Sequence, residues 1–371
     1  MYEALQIYWW CLISLIGGLF VFMMFVQGGQ TLFKSVSDNE VHKDMILSAV
    51  GKKWELTFTA LVLFGGACFA AFPLFYATSF GGAYWVWMAI LFCFIIQAVS
   101  YEYRKKEANF LGQGTYELFL MINGSLGVIL IGIAVATFFS GSEFTLDSNN
   151  FVKWDNPLRG LEALKNPYNY LLGFTLFFQA RVGGALYLMN NINDAKLRAN
   201  LKTNLKKDAL LLVVFLVAFL VWTLLRDGYS VDANGVVSMV SYKYALNLLE
   251  MPLVAGMLLV GLVLALFGMY KGVFTDSVQG IWSYGVGVTL LVMSVFLLVG
   301  LNGTAFYPSY TDLQSSLTIY NASSSFYTLK VMAVVSLWAP VVLGYIAYVW
   351  KLMDKKKMTP EELKKEEGLY E

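Results

Sequence analysis

Nine stretches of this chain are apolar and long enough to cross a lipid bilayer, and nothing else in the sequence limits its fold so much. A helix needs about 20 apolar residues to span the hydrocarbon. The runs fall at 8–26, 56–76, 84–99, 117–139, 168–190, 210–225, 251–270, 281–301 and 327–352. The third and sixth are short, and the sixth ends against Arg226. Charged residues make up only 14% of the chain, against about 25% in soluble domains. The expected fold is all-α and integral to a membrane, with residues 1–371 as a single polytopic domain. The segment 353–371 reads as a charged cytoplasmic tail, a short surface helix rather than a domain.

Basic residues set the expected orientation. Of the 26 lysines and arginines, nineteen fall in the odd-numbered loops, the tail and the span end that meets it, and six in the even-numbered loops and the span start at Lys330. Arg181 is left inside a span. The N-terminus is therefore expected outside and the C-terminus in the cytoplasm, which an even number of spans would contradict. Trp9, Trp10, Trp85 and Trp87 at outer ends, and Trp54 and Trp350 at inner ends, read as interfacial anchors.

Ionisable residues within spans are costly and are functional candidates by default. Arg181 is the deepest, two residues after Gln179 and just before Gly183 and Gly184. It needs an acid or backbone carbonyls as partner, and Glu55 and Glu117, near inner span ends, are the acids expected. Such a pair either fixes helix packing or belongs to a proton or quinone site. Glu55 opens the second span, either as a first-turn carboxylate favoured by the helix dipole or as a proton-loading group. Glu102, beside Arg104 and Lys105, reads as a solvated ion pair.

Much chemistry is excluded. The formal net charge of +1 gives no case for nucleic acid. Cys11, Cys68 and Cys93 lie in apolar runs without metal spacing and read as small buried hydrophobes. There is no phosphate-binding glycine loop and no zinc motif. The chain has one histidine, His42, placed in a charged loop and read as solvated. A haem held by two histidines of this chain is therefore ruled out, and any redox cofactor would sit in another subunit.

Several segments resemble subunit II of the cytochrome bd quinol oxidase family. The strongest run begins at Phe306, Tyr307 and Pro308, continues through S-L-T-I-Y-N-A-S-S-S from Ser316, and ends in T-L-K-V-M from Thr328 with Pro340 beyond. Trp54 and Glu55, followed by G-G-A-C-F-A-A-F-P from Gly65, also fit, as do Y-E-Y-R from Tyr101, G-A-L-Y-L from Gly184, and Trp9 with Trp10. The matches cover nearly the whole chain.

The resemblance implies two four-helix bundles plus one extra helix in a bacterial cytoplasmic (inner) membrane. It implies a partner, subunit I, holding two b haems, haem d and the quinol-oxidising loop. The complex would oxidise quinol and reduce O2 to water, building a proton motive force without pumping. This chain would be the haem-free scaffold, with a structural quinone in some family members and a small single-span subunit in the complex. Membrane lipid and quinone are its expected surroundings. The family's cytoplasmic proton path maps onto Trp54 and Glu55, with Glu102, Glu117 and Arg181 as further candidates.

The sequence departs from the family where that path begins. The family's D-G-F-D is Gln27-Gly-Gly-Gln30 here, its W-D is Trp54-Glu55, and a following polar residue is Phe58. R-P-V-G-F-D-Y-R appears as Q-A-V-S-Y-E-Y-R over 97–104, and a histidine before G-A is Gly183. Arg181 and Glu55 are expected to form a rearranged polar route. The alternative is a polytopic secondary transporter, with Arg181 in a midplane site.

Overall fold

A computed structural model describes residues 1–106 and 108–367. The last residues of the expected tail, 368–371, lie outside the described part. Among the described residues nine helices are long and apolar enough to span a membrane. They are α1 (Tyr2–Val36), α2 (Glu40–Ala71), α3 (Tyr84–Tyr103), α4 (Gln113–Ser140), α5 (Pro167–Asn191), α6 (Ala195–Leu225), α7 (Pro252–Phe274), α8 (Gly280–Gly300) and α9 (Phe326–Met353).

Helices α1–α4 form one bundle and α5–α8 a second, while α9 lies on the outside against α1 and α2. The bundles join where α1 and α4 pack on α5 and where α1 packs on α8. Gly28 and Gly184 make the first of these crossings: a Cβ on Gly28 would collide with the Ala180 carbonyl, and one on Gly184 with the Gly29 backbone. Small residues of this kind let helix backbones approach closely in lipid.

Several helices run well past their apolar cores. At 35 residues α1 is about 52 Å long, more than the roughly 30 Å hydrocarbon. It turns at Met24, where Thr57 Oγ1 donates to the Met23 carbonyl at 3.0 Å. Only residues 37–39 separate α1 from α2, and Asn39 caps α2 by accepting from His42 N at 2.8 Å. The charged first loop expected from sequence is thus largely helix. His42 is correspondingly buried, its ring nitrogens 3.9 Å from Asp38 and 3.6 Å from Asp194. The expectation of a solvated histidine is corrected. Likewise the basic fifth loop is the first half of α6, capped by Asp194, which accepts from Leu197 N at 2.7 Å.

At the end of the bundle opposite these basic segments, the long loops build a cap. It contains two antiparallel hairpins, β1 (Phe144–Leu146) with β2 (Val152–Trp154), and β3 (Gly228–Val231) with β4 (Val237–Val240). The last long loop crosses both, with Ser309 against Ser142 and Thr304 against Ser230. Phe306 and Tyr307 from that loop are core residues. Phe306 lies 4.4 Å from the Trp10 ring and 5.1 Å from Phe75, and Tyr307 stacks on Phe144. Trp10 is only 1% exposed, donating to the Phe296 carbonyl at 2.9 Å, and Trp9 donates to Leu329 at 3.1 Å. Both are packing residues, not interfacial anchors, and Trp350 is buried too, whereas Trp85 is exposed.

Candidate functional site

Toward the basic end, buried polar side chains form four groups. The first joins α2, α3 and α4. Glu117 accepts from Arg104 Nε at 3.1 Å and Nη2 at 2.8 Å, from Gln113 Nε2 at 2.9 Å and from Lys43 Nζ at 3.2 Å. Arg104 Nη1 reaches Asp44 at 2.8 Å, and Lys43 also binds Glu40 at 2.8 Å. Glu117 and Arg104 are both buried, so each carboxylate oxygen and guanidinium edge has its charge met within the protein.

The second group answers the question posed by Arg181. Its Nε donates to Asp208 of α6 at 3.0 Å and its Nη1 to Thr31 of α1 at 3.0 Å. Asn204, one turn before Asp208, donates to the same carboxylate oxygen at 2.7 Å. The guanidinium also lies over the Phe177 ring at 5.6 Å. The partner expected from sequence, Glu55 or Glu117, is therefore corrected to Asp208. Asp208 stands at the edge of the sixth apolar run. The sequence does not reveal it, because α6 begins thirteen residues before it and places an apparent loop acid on a buried helical face.

The third group is made of amides. Gln97 Nε2 and the Tyr101 hydroxyl both donate to Gln30 Oε1 at 2.8 Å. Gln30 Nε2 in turn donates to the Leu120 carbonyl at 2.7 Å and to Asn123 Oδ1 at 2.8 Å, and Gln27 Nε2 reaches Gln97 at 3.3 Å. Asn123 opens a π-helical turn, Asn123–Gly127, inside α4, which turns its side chain toward α1. Gln27, Gln30, Gln97 and Asn123 are fully buried. This network is neutral: amides exchange donors and acceptors without carrying a proton through a charged state.

The fourth group lies under the tail. Lys53 is 0% exposed and donates to Asp354 at 3.0 Å, with its ammonium 5.3 Å from the Trp350 ring. The same Asp354 oxygen accepts from Asn191 at 3.0 Å and Tyr187 at 3.3 Å. Beyond it Met358 exchanges backbone bonds with Asn191 and Asn193, both 2.9 Å, and the helix Pro360–Glu367 packs on the first half of α2. The described part of the tail is docked through Asp354, Met358 and Leu363.

The remaining candidates lie at the surface of this chain. Trp54 is half-buried and stacks on Tyr101 at 6.3 Å. Glu55 follows it in the first turn of that helical segment and is exposed, with no hydrogen bond or ion pair among the described residues. Glu102 is exposed and pairs with Lys106 at 3.7 Å, as a solvated pair should. Trp54 stacks on Tyr101, which donates to the amide group, and Glu55 is the next residue after Trp54, while Arg181 and Glu117 are each engaged elsewhere.

Comparison with known proteins settles the family. The family model for cytochrome bd terminal oxidase subunit II matches residues 5–353. The chain belongs to that family. It is 25% identical to "Cytochrome bd-I ubiquinol oxidase subunit 2" of Escherichia coli, covering 98% of each chain. It is 24% identical to "Cytochrome bd ubiquinol oxidase subunit 2" of Bacillus subtilis, over 95% of this chain and 98% of that one. A solved bd oxidase from Geobacillus thermodenitrificans shares the fold, with a TM-score of 0.66 at 11% identity, covering 94% of this chain and 98% of its own. This bd oxidase subunit II is therefore part of a respiratory terminal oxidase in a bacterial cytoplasmic membrane, with a subunit I as partner. The complex implies haem, carried by that partner. The transporter reading has no support.

Proposed function

We propose that this subunit is the haem-free half of a quinol:O2 oxidoreductase, supporting two b haems and haem d in subunit I and offering that subunit a protonatable carboxylate, Glu55. Quinol oxidation and O2 reduction to water would proceed in subunit I, with protons drawn from the cytoplasm and no pumping.

The observation that carries this reading is the contrast between Glu55 and the other acids. Glu117 and Asp208 are each held by cations of this chain. Glu55 alone among the intramembrane candidates is left exposed and unpaired on the α2 surface, at the end where the basic residues lie. A carboxylate without a partner in its own chain is the group free to exchange protons with a neighbouring subunit. The neutral Gln27–Gln30–Gln97 group behind it closes the family's usual entry, so proton access is proposed to run along the α2 surface instead. The exposed apolar sides of α7 and α9 are proposed to face lipid, quinone or a small single-span subunit.

Replacing Glu55 by Gln in the intact complex tests this. Quinol-driven O2 consumption and proton uptake are expected to fall by about tenfold or more, with haem content unchanged. Wild-type turnover across a pH series with normal haem would overturn the assignment.

A further inference from the structure

A cavity of about 280 Å³ lies at the capped end of the bundle, far along the chain fold from the acids considered above. It is walled by the start of α3, the end of α4, the start of α5 and the loops that carry Glu143, Glu162 and Tyr310. Glu162 sits in the single tight turn Leu161–Lys165 and is only 7% exposed. Its Oε2 accepts from Gly160 N at 2.8 Å. Its Oε1 is buried and has no hydrogen-bond partner. A buried carboxylate oxygen left unmet costs more than the bond it forgoes. Burial raises the Glu162 pKa; the backbone N–H groups of Glu162 and Gly160 oppose it, the nearby Glu143 charge adds to it and Lys165 subtracts.

The chemistry of the wall narrows the ligand. Two carboxylates, Glu143 and Glu162, face one ammonium, Lys165, which leaves the cavity negative. Ser142 and Asn169 add neutral oxygens. A quinone carbonyl brings only acceptors and leaves an ionised Oε1 unmet. A bare ion would not fill the space, which holds roughly nine waters at about 30 Å³ each. Hard divalent cations take oxygen ligands, and Mg2+ in particular keeps several waters while using one or two carboxylates. We propose that this cavity binds a partly hydrated divalent cation of the Mg2+/Ca2+ class through Glu162 and Glu143, pinning the cap to the ends of α3, α4 and α5.

Trp87 and Trp154 also line the cavity, which makes the site readable with Tb3+ as probe. In the purified complex, treated with chelator and then titrated with Tb3+, tryptophan excitation is expected to give saturable Tb3+ emission. Millimolar Ca2+ or Mg2+ should displace it. Glu162→Gln is expected to weaken the saturable phase at least tenfold, with the haem spectrum of the complex unchanged. Should that variant fail to assemble, Glu143→Gln carries the same expectation. Emission unaltered in an assembled variant, or displaced by ethanolamine but not by Ca2+ or Mg2+, would overturn the proposal.

Discussion

At the scale of single residues, the interior of this subunit is governed by pairing. Arg181 and Asp208 are both largely withdrawn from solvent and share one short contact, with Thr31 accepting from the guanidinium and Asn204 donating to the same carboxylate oxygen. Removing one partner of such a pair typically costs about 3–5 kcal/mol, because the other charge is left buried and alone. Asp208→Leu is therefore expected to lower the melting temperature of the intact complex sharply, and Arg181→Leu likewise. The double variant should be more stable than either single one, a coupling that melting of all four proteins would measure. Additive losses would mean that the pair does not act as a unit. Arg181 was legible in the sequence as a buried charge in need of an acid. Asp208 was not, since an acid at the edge of an apolar run looks solvated until the helix carrying it is known to continue.

At the scale of elements, hydropathy located all nine spans but ended most of them too soon. It reports contact with lipid, while a helix continues wherever its backbone bonds are met and one face finds a protein neighbour. The basic half of α6 and the segment from Glu40 to Gly51 are helical for that reason, each started by a side-chain cap, Asp194 and Asn39. The tail is a comparable case. Its charges read as a solvated end, yet Asp354 closes over Lys53, and Met358 and Leu363 are buried. Asp354→Ala leaves a fully buried ammonium without its counter-ion and is expected to cost about 3 kcal/mol. Limited proteolysis would report it, as faster cleavage after the lysines at 355–357. Unchanged cleavage would show that backbone pairing at Met358 alone holds the tail.

At the scale of the whole molecule, the two bundles depend on a close backbone crossing of α1 and α5. Gly28→Val places a branched side chain where the Ala180 carbonyl stands, and helix packing that tight cannot yield by side-chain movement. The variant is expected to prevent accumulation of the assembled oxidase, seen as loss of haem absorbance in membranes. Gly256→Val, on an open α7 face, should be tolerated. The family motif in the last long loop acts at this scale too. Phe306 and Tyr307 hold the cap onto Trp10, Phe75 and Phe138, so what made the family recognisable is architectural.

The amino-acid sequence by itself determined the solvent of this protein, the number of membrane-spanning helices among the described residues and its family. Those follow from long runs of apolar residues, which tolerate only one kind of backbone in lipid, and from a motif dense enough to be specific. The tertiary structure alone decided which charges meet. Asp208 with Arg181, Asp354 with Lys53 and Arg104 with Glu117 are separated by 27, 301 and 13 residues. Pairing across such separations depends on helix rotation and crossing, set by where glycines let backbones touch. No local pattern encodes that. The same holds for Glu55: its acidity is written in the sequence, but its position on an open face, beside Trp54 and apart from the paired acids, exists only once α2 is rotated into place.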